Sequence, residues 1–350
     1  MDVTRFENDA VAIGNAAGLT WNPTLMNLAV QGRRDPTVFR PIDSNAFGGH
    51  KAIVRSDTGA VLDVGASGRF EVHKNSEILT GICTAAKGAG MLVSDVKALF
   101  GGRDVIVSAK HMAKGKGEAV KGDVLEGRVV VYASHRIGRA TTYWTEVLRL
   151  VCGNGLTSRE QMGRMRVTHR RQIAPGQAEM NQIAMALGEQ LGLMTDRLGT
   201  MAETRLTDMQ VRLYLANVAA PELLDAVIAE TGKVRRVQAR AGVDMVGRVA
   251  LSEMLEAVDS SRVVGEVLLK GWEAKKRSLN RLLDAIVEQP GSEYAPGTVY
   301  NAYNAVTWQV DHGRETDASR ESALLGDGRE RKERALELGV EYVQALRGQA

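Results

Sequence analysis

The sequence predicts an α+β protein: a small antiparallel β-meander and an N-terminal hairpin packed on a large helical C-terminal half. Three observations lead there. Between Arg103 and Cys152, three apolar runs with period-two alternation are joined by short connections. Upstream, Asp57-Thr58-Gly59 separates two short β-like runs. From about Pro175 onward, apolar residues recur at spacings of three and four. The expected division is residues 1–172, mixed, and residues 173–350, mainly helical.

Taken in order, AGLTWNPTLMNLAVQG predicts a short helical segment around Trp21, and a hairpin follows over Lys51–Val64. Asn75 or Ser76 is placed to cap a helix from Glu77 to about Gly88. The meander strands are RDVIVSAKHM, VLEGRVVVYASHR and TTYWTEVLRLVC, with KGKGEAVKGD as a loop between the first two. Alternation puts Leu125, Val129, Val131 and Ala133 on one face of the second strand and Arg128, Val130, Tyr132, Ser134 and Arg136 on the other. In the third strand, Trp144, Leu148, Leu150 and Cys152 oppose Thr141, Tyr143, Thr145, Val147 and Arg149. Each strand therefore has an apolar side that needs covering and a side mixing Arg, Tyr and hydroxyls.

The helical half starts with a long helix whose inward stripe is Ile183, Leu187, Leu191, Met194, Leu198 and Met201. Further helices are expected over Thr207–Asn217, Pro221–Thr231 and Val263–Val287, with Gly232–Val249 less regular. YNAYNAVTWQVDHGRE reads as a helix stopped by Gly313, with Tyr300, Asn304, Trp308 and His312 on one stripe. A charged amphipathic helix from about Gly328 to Leu346 ends the chain.

Composition is that of an ordinary globular protein, and no apolar run approaches the ~20 residues that span a bilayer. The start, MDVTRFENDA, lacks the apolar core of a secretory signal. Cys83 and Cys152 are too few for a disulfide framework or a zinc site and read as small buried residues, which suits a reducing cytoplasm. No phosphate-binding glycine loop, dinucleotide fingerprint, HExxH or GxSxG is present, so no catalytic residue, metal or cofactor is assigned.

The net charge of +3 is unevenly spread. Residues 97–171 carry fifteen Lys and Arg against six Asp and Glu, a net +9, between a −1 segment before and a −5 segment after. Such a segment suggests a polyanion partner. The alternative is a solvated surface, or a basic face that pairs with the acidic C-terminal half. Strand-type nucleic acid needs cations for phosphates and rings for stacking. The candidate contacts are Arg103, Lys110, His111, Arg128, Arg136, Arg149, Arg159, Arg164, Arg166, Arg170 and Arg171 for phosphate, with Tyr132 and Tyr143 for bases. Lys114 and Lys116 extend the charge at one end. Asn154, between two glycines, would turn the arginine segment back toward the sheet. Against this stands the possibility that Tyr132 and Tyr143 are a covered cross-strand pair.

Several stretches carry a family resemblance: AGLTW, then VRSDTGAVLDVGASGRFEVHKNSE, LRLVCGNGL, YNAYNAVTWQVDHGRE and SALLGDGRERKERAL. In this order they resemble the phage/plasmid-like family of uncharacterised bacterial and bacteriophage proteins, with small departures at Phe70 and His73-Lys74. The layout is also similar to phage single-strand annealing proteins of the Redβ, RecT and Erf kind. That likeness implies a ring- or filament-forming homo-oligomer holding single-stranded DNA in a basic groove. The expectation is thus a cytoplasmic, non-specific binder of single-stranded DNA (RNA is possible) in a bacterial host, promoting annealing in phage recombination. The alternatives are a phage structural or assembly protein and a metal-dependent nuclease around Asp311 and His312.

Overall fold

The structure, a computed structural model, describes residues 2–31, 39–41, 50–67, 70–111, 116–156, 165–167, 177–219 and 266–347. It is mixed α/β, with antiparallel sheets and helices. The chain forms two compact units that interleave in sequence: residues 1–115, 127–146 and 161–190 make one, and residues 116–126, 147–160 and 191–350 the other. A single cut near residue 172 does not describe them, because two long strands and one long helix each contribute to both units.

In the first unit, helix α1 (Ala10–Ala16) is capped by Asp9, whose carboxylate accepts from the Val11 and Ala12 amides. The helix expected around Trp21 is absent. Gly18 adopts φ +67°, a left-handed stop, and Asn22 precedes a proline, which disfavours helix. Trp21 lies in a bend, and Pro23–Asn27 is strand β1. Strand β4 (Lys51–Arg55) pairs with β1 on one side and with β5 (Val61–Ala66) on the other, so the predicted hairpin is present. Short strands β2 (Ala29–Gln31) and β3 (Phe39–Pro41) pair with each other. Helix α2 (Asn75–Gly88) starts two residues before the expected Glu77, and the Glu77 carboxylate accepts from the Lys74 amide.

The main sheet has the order β11-β10-β9-β7-β6, with β8 beside β9 and β12 beside β10. All three predicted meander strands are there: β7 (Asp104–His111), β9 (Asp123–Ser134) and β10 (Thr141–Arg149). Strand β6 (Met91–Leu99) pairs with β7 along its length. The KGKGEAVKGD stretch, expected as a loop, contains β8 (Lys116–Val120), which folds back on the start of β9 through the Lys121-Gly122 turn. Gly122 takes φ +88° there, so ladder pairing overrides the weak strand propensity of the stretch. Ile137, in the β9–β10 turn, donates its amide to Asp63 of the hairpin.

Helix α3 (Gln177–Glu203) buries all six residues of its predicted stripe. Ile183 and Leu187 join a core with Ile13, Trp21, Ile82, Val107 and Val129, while Leu191, Met194, Leu198 and Met201 join the second unit's core. Each such side chain contributes roughly 1.5–3 kcal/mol. In the second unit, α4 (Asp208–Ala219) begins with a reciprocal cap between Thr207 and Gln210. Then come α5 (Glu266–Glu288), α6 (Val299–His312), α7 (Asp317–Leu325) and α8 (Asp327–Arg347). Tyr214, Tyr300, Tyr303 and Tyr342 are fully buried among them. The helix expected at Pro221–Thr231 and the segment Gly232–Val249 lie outside the described residues.

Both cysteines are buried and unbridged, as expected. Burial, reinforced by Asp9, pushes the Cys83 thiol up to about 11. At pH 8 only about one in a thousand such thiols is ionised. Labelling of Cys83 by a thiol reagent is therefore expected only after denaturant unfolds the chain; prompt reaction of the native protein would contradict its placement.

Candidate nucleic-acid interface

The cationic residues of the meander fall into two sets. Arg128, Arg136 and Arg149 each reach a carboxylate that the sheet brings beside them. Arg128, on β9, donates through Nε and Nη2 to Glu146 on neighbouring β10, at 2.9 and 2.7 Å. Arg136, just past β9, forks onto Asp104 at the start of β7, and its Nη2 also donates to the Tyr132 hydroxyl at 2.7 Å. Arg149 closes β10 and grips Asp123, the first residue of β9, with Nε and Nη2 contacts of 2.6–2.9 Å. The three acids are completely buried, as is Arg149.

Tyr132 and Tyr143 are 1% and 0% exposed, and Val130, Ser134, Thr141, Thr145 and Val147 are buried with them. Stacking a base requires an open ring face. The expectation that these tyrosines and the three sheet arginines form a solvent-facing platform is thereby corrected. The mixed side of β9 and the mixed side of β10 lie on opposite faces of the sheet: Arg128 meets Glu146 from the Trp144 side of β10, while Tyr143 packs with Val129, Val131 and Ala133. Both are interiors, neutralised by Asp104, Asp123 and Glu146.

The second set lies at the ends of β7. Arg103 is half-buried, with its guanidinium 4.9 Å over the Phe100 ring. Lys110 and His111 are half-buried at the other end, and Lys110 stands opposite Arg128 in register. Seven residues of strand separate Arg103 from Lys110, about 23 Å. Charge is thus spread along one strand rather than focused. Asn154 opens strand β11 (Asn154–Leu156) and pairs with Arg149. The turn before it uses Gly153 at φ +67°. Arg166 sits on β12 (Met165–Val167), opposite Thr142 of β10, so the backbone does come back to the sheet there. Arg159, Arg164, Arg170 and Arg171 lie outside the described residues.

Sequence reasoning missed a polar knot at the start of β7. His135 is buried, meets the Asn75 side chain at 2.9 Å and packs edge-on against Trp21. Asn75 in turn donates to the Trp21 carbonyl. Arg55 lies 4.2 Å over the Trp21 ring and donates to the Gly101 carbonyl at 2.6 Å. Phe100, Gly101 and Gly102 all take positive φ, and a Cβ on Gly102 would collide with the Cζ2 edge of the Trp21 ring. Gly102→Ala therefore combines left-handed strain with overpacking, and a loss of about 2–4 kcal/mol is expected in urea unfolding. A change below about 0.5 kcal/mol would show that Trp21 gives way freely. The clue available in sequence was FGG before a strand; its partners, Trp21 and His135, are remote along the chain.

A second knot joins the stretches LRLVCGNGL, YNAYNAVTWQVDH and GRERKERAL. Lys332 Nζ is fully buried and donates to the Gly155 carbonyl at 2.9 Å and to Asp311 Oδ1 at 3.0 Å. Asp311 Oδ2 accepts from the Gly155 amide at 3.0 Å. Asp311 is thus a structural clamp. His312 is exposed beside Trp308 at the helix end, and the Tyr300–Asn304–Trp308–His312 stripe runs from buried to exposed along α6. No group of three or more potential metal ligands occurs among the described residues.

These knots tie together the same stretches that carry the family resemblance, and the family model for DUF932, a domain of unknown function, matches residues 64–336. The chain belongs to the DUF932 family. No curated protein and no solved structure matches it. The DUF932 match takes in the whole main sheet and all helices from α2 through α7. No helix among the described residues is long and apolar enough to cross a membrane.

Proposed function

We propose that this DUF932 protein binds single-stranded nucleic acid non-specifically, and that it uses this binding to anneal complementary strands in phage recombination. The supporting observation is a charge balance. The three buried pairs remove Arg128, Arg136 and Arg149 together with Asp104, Glu146 and Asp123, equal numbers of each sign. Counted within residues 97–171, the net +9 therefore stays whole and rests on the segment's other cations, with Glu118, Glu126 and Glu160 as its remaining acids. These cations include Arg103, Lys110, Arg139 and the arginines from Arg159 to Arg171. The sheet anchors the segment, and the arginines beyond it meet phosphate.

About five phosphate contacts on a single strand give a log–log salt slope near −3.5. Affinity for a labelled oligonucleotide should fall roughly 100-fold between 50 and 200 mM salt. Changing Arg159, Arg164, Arg170 and Arg171 together to Gln should flatten that slope and leave the melting temperature unchanged. Arg128→Ala should do the reverse, lowering stability through Glu146 while sparing the slope. Salt-independent binding, or none, sinks the reading and leaves assembly with further copies as the use of the basic segment.

A further inference from the structure

Arg149, Arg329 and Lys332 are buried and Arg128 and Arg136 half-buried, and each of these five cations holds a carboxylate. Arg331, on α8 in the second unit, does not. Its Nη2 donates to Ser278 Oγ at 2.9 Å and its Nη1 to Gln309 Oε1 at 3.4 Å, while its Nε is buried with no hydrogen-bond partner. It forms no ion pair among the described residues. Burial and the neighbouring Arg334 both lower its pKa, so the site favours positive charge poorly without a counter-ion.

Arg331 lines a cleft of about 350 Å³ that lies between α5, the end of α6, α7 and the start of α8. Arg281 and Arg314 line the same cleft, both exposed and also without an ion pair among the described residues, and Asp327 is its one acid. Ser278 accepts from Arg331, and Ser322 accepts from the Gly328 amide at 3.0 Å, so each keeps its hydroxyl hydrogen for another acceptor. Three guanidiniums against one carboxylate leave two unbalanced positive charges. A phosphomonoester carries about −1.5 to −2 at pH 7 and has three acceptor oxygens for such donors. Guanidinium forks suit it geometrically, and the desolvated Arg331 gains most from it.

We propose that this cleft is a phosphate-binding site, taking a phosphomonoester group on Arg331, Arg281 and Arg314. The same chemistry has two sources, a free small phosphate compound or the 5′-phosphate end of a strand. The inference stands apart from the proposed strand binding, since none of its residues lies in the basic segment.

The test is calorimetric titration of the whole protein with inorganic phosphate, with a 5′-phosphorylated oligonucleotide and with its 5′-hydroxyl twin. Inorganic phosphate should bind the native protein. Arg281→Gln with Arg314→Gln, both at exposed positions, should weaken it at least tenfold with no change in melting temperature. Arg331→Gln should abolish it, checked against the native circular dichroism spectrum. A 5′-phosphate preference that vanishes in the double variant assigns the site to strand ends. Phosphate binding without that preference assigns it to a small phosphate compound, and would hold even if neither oligonucleotide bound. Absence of phosphate binding at millimolar concentration, or binding that the double variant retains in full, overturns the site.

Discussion

Replacing Arg149 by Met is expected to lower the unfolding free energy by about 3–5 kcal/mol, read from urea denaturation followed by far-ultraviolet circular dichroism. The cost comes from what the change strands. Asp123 would remain completely buried with its charge, keeping only the Tyr300 hydroxyl, which donates to Oδ2 at 2.8 Å. The Pro290 carbonyl, now held by Nη1 at 3.1 Å, would also lose its donor, while that of Gly291, held by Nη2 at 2.9 Å, would keep the Tyr294 amide. Burial alone works against the Arg149 charge, and its hydrogen bonds to Asp123 more than reverse this, so the guanidinium stays protonated at every accessible pH. Burial likewise pushes the Tyr300 hydroxyl up, and Asp123 adds to the rise, so it remains a donor.

Arg149→Met together with Asp123→Leu should recover part of the loss. The uncompensated charge is then gone, while the Tyr300 hydroxyl loses its acceptor on Asp123 and the Pro290 carbonyl still lacks its donor. Met reaches about as far as the arginine stem, so the test isolates charge from volume. A loss under about 1 kcal/mol for Arg149→Met would mean that water enters to solvate Asp123 and that the pair is not sealed. The same variant should leave the salt slope for oligonucleotide binding untouched, which separates an anchoring arginine from a contacting one.

The alternation in β9 and β10 correctly grouped Tyr132 with Arg136 and Arg149 with Tyr143, because face assignment depends only on the two-residue repeat. It could not say whether either face meets water, nor that strand pairing sets the two groups on opposite faces of the sheet. The deciding residues are Asp104, Asp123 and Glu146, which lie 32, 26 and 18 positions from their arginines and come alongside only once the strands pair. Counting net charge over the segment hid them, since a buried pair and two exposed ions sum alike. The α3 stripe was legible for the opposite reason: Ile183 to Met201 is a local repeat that any covering surface would bury. The helix around Trp21 failed for local reasons, Gly18 and Asn22-Pro23, whereas the packing of Trp21 against Gly102 and His135 was not legible because both are remote in sequence. Arg331 could not be distinguished from the other arginines of GRERKERAL without seeing which of them lacks an acid.

Lys332→Met is expected to cost about 2–4 kcal/mol, somewhat less than the loss at Arg149 because Asp311 is 14% exposed and can recruit some water. Lys332 itself has no exposed surface, so nothing replaces its ammonium. Its loss frees the Gly155 carbonyl and one oxygen of Asp311, yet the other oxygen still holds the Gly155 amide. Adding Asp311→Leu should therefore bring no recovery, since both backbone groups of Gly155 would then be orphaned, a further cost of about 1–3 kcal/mol. The sign of the second substitution thus differs between the two knots: rescue at Arg149–Asp123, additional loss at Lys332–Asp311. Hydrogen exchange gives the local reading. The Gly155 amide should stay protected in Lys332→Met and exchange fast in the double variant. Recovery of stability on adding Asp311→Leu would show that charge, not the fixing of the Gly155 backbone, is what Lys332 serves.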